Sequence, residues 1–60
     1  MTRFYVYGWT MNGNGRPVQY FNGSFESMEN ARQATALFPE NVSWRIVCNS
    51  ITIAEKIIEF

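Results

Sequence analysis

Hydrophobic and polar positions change period along the chain, and each change predicts an element. From Arg3 to Met11 (RFYVYGWTM) β-branched and aromatic residues dominate, the composition of a strand. Its alternation separates Phe4, Val6 and Gly8 from Tyr5, Tyr7 and Trp9. Asn12-Gly13-Asn14-Gly15 follows, and Asn-Gly predicts a hairpin turn of type I′, in which both central residues need positive φ. Residues 16–25 (RPVQYFNGSF) read as the return strand. Pro17 has no N–H and belongs at a strand start or on a sheet edge. Asn22-Gly23 predicts a bulge or an early strand end.

The period then lengthens. Met28, Ala31, Thr35 and Phe38 recur at helical spacing, with Ala34 and Leu37 beside them. Ser27 is an N-cap residue, and Glu29 sits in the first turn, where a helix dipole favours negative charge. Pro39 ends the pattern, because the residue before a proline avoids the α region. Residues 28–37 are therefore predicted as the one long helix. Glu40-Asn41 is a short loop, and residues 42–48 (VSWRIVC) are a third strand. Asn49-Ser50 is a turn or a bulge. The tail, ITIAEKIIEF, fits two forms. It can pair back as a strand, or form a helix with Thr52 and Glu55 as a capping box and Ile53, Ile57 and Phe60 on one face. Ile51–Ile53 are assigned to a strand, and residues 54–60 stand between the two forms.

The expected fold is a single α+β domain over residues 1–60. It has a small antiparallel sheet, β-β-α-β plus a C-terminal strand or short helical element, with one helix packed on one face. Small groups suit close packing by a helix, so Phe4 and Val6 are assigned to the core. Tyr5, Tyr7 and Trp9 then lie on the opposite face, which one helix cannot cover. Tyr20 is placed beside them. Three readings of this aromatic row stay open. It reads as a second small core under the C-terminal segment, as a protein-binding or homodimer face, or as a platform for stacking bases.

Length sharpens the question of what stabilises the domain. A chain of 60 residues buries only ~60% of the surface its unfolded form exposes. Chains of this size usually need a disulfide, a metal or a partner. The single cysteine, Cys48, allows no internal disulfide, and the chain has no histidine and no aspartate, so a zinc site is implausible. Aromatic residues make up 17% of the chain and supply much of the buriable area. No cofactor is expected.

Charge and motifs narrow the function classes. Arg3, Arg16, Arg32, Arg45 and Lys56 balance Glu26, Glu29, Glu40, Glu55 and Glu59, which argues against both a dedicated DNA binder and an acidic DNA mimic. The start Met1-Thr2-Arg3-Phe4 lacks the apolar run of a secretion signal, and no apolar stretch nears the ~20 residues that span a bilayer. A cytoplasmic location without membrane partners is expected, and a lone cysteine on a strand fits a reducing compartment. Cys48 as a nucleophile would need a base or a positive site to activate it, and no histidine is present, so a buried structural thiol is expected. Four of the five glutamates lie beside helical or turn segments and read as solvated charges rather than as an acid–base pair. Little room remains for a substrate cleft, which typically needs ~300 Å³. Gly13-Asn14-Gly15 leads into a strand and lacks the Lys and Ser/Thr of a phosphate loop. The two glycosylation sequons, at Asn22 and Asn41, are discounted with no secretion signal in view.

The segment ARQATALFPENVSWRIVCNSITI, Ala31 to Ile53, resembles a pattern found in small phage-encoded proteins. An alanine-rich helix ending in proline leads into a W-R-I-V strand, a short turn and a threonine-containing strand. The resemblance implies an architecture and a setting, a phage or mobile element, and carries over no functional residue. The expected function is a non-enzymatic protein-interaction module that binds and inhibits or modulates a host enzyme or defence complex. Tyr5, Tyr7, Trp9, Tyr20 and Arg16 are its candidate partner-binding residues. The alternatives are a nucleic-acid module using the aromatic face with Arg3, Arg16 and Arg45, and a homo-oligomeric structural accessory protein, self-associating as a dimer.

Overall fold

The computed structural model describes residues 2–58. Five elements follow in chain order: β1 (Phe4–Met11), β2 (Pro17–Phe25), α1 (Met28–Ala36), β3 (Ser43–Cys48) and β4 (Ile51–Lys56). The strands form one sheet in the order β2-β1-β3-β4, with every neighbour antiparallel. This is the expected α+β architecture. The open question about the tail is settled for residues 54–56, which continue β4 as a strand because β3 pairs with them. Glu59 and Phe60, which the helical form of the tail would have included, lie outside the described residues.

The topology explains the position of the helix. β2 and β3 both run antiparallel to β1, so they are parallel to each other. Parallel strands cannot be joined by a tight turn, and the chain must cross the sheet. α1 makes that crossing and packs on β1 and β2. Its start is fixed by Ser27, which is extended (φ −133, ψ 152) and whose hydroxyl accepts from the backbone N–H of Asn30 at 3.1 Å. Leu37 caps the other end, and the helix stops at Ala36, one residue short of the predicted limit. There the N–H groups of Leu37 and Phe38 donate to the carbonyls of Ala34 and Thr35 before Pro39. Thr35 is buried with its hydroxyl satisfied, donating to the carbonyl of Arg32 at 2.9 Å.

The core lies between α1 and the sheet. Val6, Ala31 and Ile46 are fully buried, and Phe4, Phe21, Phe25, Met28, Phe38, Trp44 and Ala54 pack around them. Phe4 and Val6 thus take the positions expected of them. Two glycines make room for rings. A Cβ on Gly8 would lie 3.0 Å from the Phe38 ring, and one on Gly23 would lie 2.9 Å from the Phe21 ring. Phe21 and Phe25, on either side of Gly23, stack with centroids 6.3 Å apart.

The turns correct two expectations. The β1–β2 loop is not a type I′ turn. The Oδ1 of Asn12 accepts from the N–H groups of Asn14 (2.9 Å) and Arg16 (3.0 Å), and the N–H of Gly15 donates to the Asn12 carbonyl. Only Gly15 in this loop adopts positive φ, at +76. The Asn12 side chain satisfies two loop N–H groups and so favours a longer loop closed by one left-handed residue. Two successive positive-φ residues occur instead at Asn49 (52) and Ser50 (65), between the paired residues Cys48 and Ile51. The second correction concerns β2. Asn22 and Gly23 continue the strand opposite Tyr7 and Val6, and the bulge falls at Tyr20, because Gly8 faces Phe21 while Trp9 faces Gln19.

Candidate functional site

β1 is internal to the sheet, so its outward residues sit near the middle of the face that α1 leaves open. Directly opposite residues of antiparallel strands share a face. Tyr5, Tyr7 and Trp9 therefore lie with Ser24, Asn22 and Gln19 of β2 and with Val47, Arg45 and Ser43 of β3. Tyr5 is 42% exposed and Tyr7 41%. Trp9 is half-buried. These exposures leave the two tyrosines without a cover among the described residues and argue against a second core over them. The C-terminal segment, expected in that reading to cover the row, pairs edge-on with β3 as β4. Among the described residues it meets this face at the Trp9 end, where the N–H of Ile58 donates to the hydroxyl of buried Ser43 at 3.0 Å.

One charged pair crosses the face. The Arg45 guanidinium carbon stands 5.8 Å from the Trp9 ring centroid, and its Nε donates to Glu55 Oε2 at 3.0 Å. A regular two-residue hairpin from Cys48–Ile51 would set Ala54 opposite Arg45. The extra residue Ile53, bulged between Thr52 and Ala54, moves Glu55 into that place. Both side chains are nearly half exposed (45% and 44%), so the ion pair contributes at most ~1 kcal/mol, and the cation–π contact ~0.5–1 kcal/mol. Their larger effect is geometric, since Glu55 and Trp9 hold Arg45 from two sides. The pair also leaves this central part of the face without net charge.

The predicted site residues divide. Tyr5, Tyr7 and Trp9 come together as expected. Tyr20 does not join them: the bulge turns it to the α1 side, where its ring meets Phe38 edge-on at 5.4 Å. Arg16 lies exposed at the end of the β1–β2 loop, beyond the aromatic row, with its backbone N–H and carbonyl bonded to Asn12. Cys48, expected to be buried, is half-buried beside the β3–β4 turn. Glu55 joins the face unforeseen, because only the bulge at Ile53 brings it opposite Arg45. Val47 and Asn22 could have been found from strand register.

What this face offers is recognition chemistry: ring faces, phenolic hydroxyls, amide and hydroxyl groups, and one oriented guanidinium. Among the described residues there is no pocket and no cluster of three metal-ligating side chains. No helix among them is long and apolar enough to cross a membrane. No protein-family model matches the chain, and no curated protein or solved structure matches it.

Proposed function

We propose that this chain is a non-enzymatic interaction module that binds a folded protein partner through the open sheet face, with Tyr5, Tyr7, Trp9 and Arg45 as the contact centre. The observation that carries the reading is the row of tyrosines, each about two-fifths exposed, on the face away from α1. Tyr, Trp and Arg are the side chains in which binding energy concentrates at protein interfaces. A protein partner is favoured over nucleic acid because Arg45, the charge nearest the rings, is already neutralised by Glu55, and base-stacking platforms work within positive grooves. The absence of histidine and aspartate from the chain supports the non-enzymatic part. The likeness of residues 31–53 to small phage-encoded proteins adds a setting, with a host enzyme or defence complex as the bound and modulated protein and the host cytoplasm as the location.

The test is affinity capture with the immobilised chain, in parallel with Trp9→Ala and Tyr7→Ala. The expected result is one protein retained by the parent chain, resistant to moderate salt and lost with both variants. Retention unchanged by either substitution removes the face from the account. Binding of single-stranded oligonucleotide that falls steeply with salt would instead support the nucleic-acid reading.

A further inference from the structure

We propose that two copies of the chain associate through the outer edge of β4, forming a closed dimer with one continuous eight-stranded sheet. β4 is the last strand on its side, and among the described residues nothing pairs with its outer edge. That edge presents backbone N–H and C=O groups ready to pair with another strand. No residue of β4 is buried, and Ile51 and Ile53 are 64% and 44% exposed, with Ile57 just beyond at 47%. α1 packs on β1 and β2, at the other side of the sheet. β4 thus carries β-branched apolar residues without cover, in a domain short enough to need association.

Charge limits the registers in which the strand can pair with a copy of itself. Residues directly opposite in an antiparallel pair must share a face, so a two-fold axis perpendicular to the sheet passes through a residue that then meets its own copy. Centred on Glu55 or Lys56, the pairing sets like charges opposite each other, which destabilises a sheet. Centred on Ala54, it sets two small side chains together. Counting the Ile53 bulge, Glu55 then faces the Thr52–Ile53 pair of the second copy, and Lys56 faces Ile51, whose apolar surface its stem can cover. The strand is therefore compatible with itself in a register centred on Ala54, near its own middle. Such a dimer uses both β4 edges and stops. The remaining edges are β2 strands, each opened by Pro17 and bulged at Tyr20, features that discourage further pairing. The contact is about six residues long, small for a stable interface, so the dimer is concentration-dependent.

Sedimentation equilibrium of the full chain, from about 10 µM to about 1 mM, tests this on the affinity scale of weak complexes. The expected result is a mass rising from the 7.0 kDa of one chain towards twice that value and no further. The variant with both Ile51→Lys and Ile53→Glu sets like charges opposite Lys56 and Glu55 of the second copy. Both sites are exposed, so circular dichroism should show the fold kept, and the variant is expected to stay monomeric throughout. Val18→Lys, an equally exposed site on the opposite edge strand, and Tyr7→Ala on the open face are expected to dimerise like the parent. A parent chain that is monomeric at every concentration overturns the proposal. So does a dimer that survives the Ile51→Lys, Ile53→Glu variant, or one abolished by Val18→Lys or Tyr7→Ala. Because Tyr7→Ala is read for both mass and partner capture, failure here is distinguishable from failure of the open-face binding site.

Discussion

The same strands build two faces of different chemistry. On the α1 side the phenylalanines of the strands, Phe4, Phe21 and Phe25, gather around Val6 and Ile46, and Gly8 and Gly23 give up their Cβ so that rings can close in. On the other side the rings are Tyr5, Tyr7 and Trp9, interleaved with Arg45, Glu55 and Asn22. Tyr5 and Tyr7 carry a hydroxyl that Phe4, Phe21 and Phe25 lack, and Tyr20, the tyrosine on the α1 side, stays about half exposed. Where a helix excludes water, an unpartnered phenol costs free energy, and phenylalanine fills the space. Where nothing covers the ring, the tyrosine hydroxyl stays hydrated while the ring packs on its cross-strand neighbours. The stability of the domain therefore rests on one face, and the other is left for contact with a partner.

That division can be broken most severely from the covered side. Removing the cover with Ala34→Pro deletes an internal bond of α1 and should cost ~3 kcal/mol or more. A domain of this length holds in total roughly 3–9 kcal/mol, so the far-ultraviolet signal of folded protein should be largely lost at room temperature, and a normal melt would contradict the role given to α1. Neighbours on one strand offer a finer contrast. Ile46→Ala, at a fully buried site facing α1, should cost ~2–5 kcal/mol in urea titrations. Val47→Ala, the next residue and on the open face, should cost ~1 kcal/mol or less. Equal losses would mean that both faces are cores.

Smaller effects probe how the open face is held in shape. Asn49 and Ser50 both sit at positive φ in the turn that sets β4 against Arg45. Ser50→Gly should relieve about 1 kcal/mol of left-handed strain and raise the melting temperature; a lower one would mean that the serine makes a compensating contact. Glu55→Gln, which removes the negative charge beside Arg45, should change stability by under ~1 kcal/mol because the pair is exposed. Partner capture should weaken nonetheless if the orientation of Arg45 matters, and unchanged capture would place Arg45 outside the contact.

The contrast between the faces was largely legible in the sequence, because alternation along one strand is a local property. So was α1, whose cap (Ser27), period and stop (Pro39) all lie within a few residues of each other. What escaped depends on pairing between distant residues. The bulge at Tyr20 turned that ring to Phe38, and the bulge at Ile53 brought Glu55 to Arg45; each inserts one residue and moves the side chains beyond it. The Asn12 side chain chose the loop type by satisfying two backbone N–H groups, which an Asn-Gly pattern alone does not reveal. The tail became a strand because β3 offered an edge, although residues 54–56 on their own fit either form.

The most direct test of the division is the equilibrium stability of Tyr7→Ala, measured by urea unfolding of the purified chain without any partner. Tyr7 lies between Asn22 and Arg45, with about two-fifths of its surface exposed. An open contact face predicts a loss of about 1 kcal/mol or less, the scale of one cross-strand pair, with an unchanged slope against urea. A loss of ~3–5 kcal/mol, the scale of a buried aromatic ring cut to alanine, would show that this face is a second core and contradict its assignment as the binding surface.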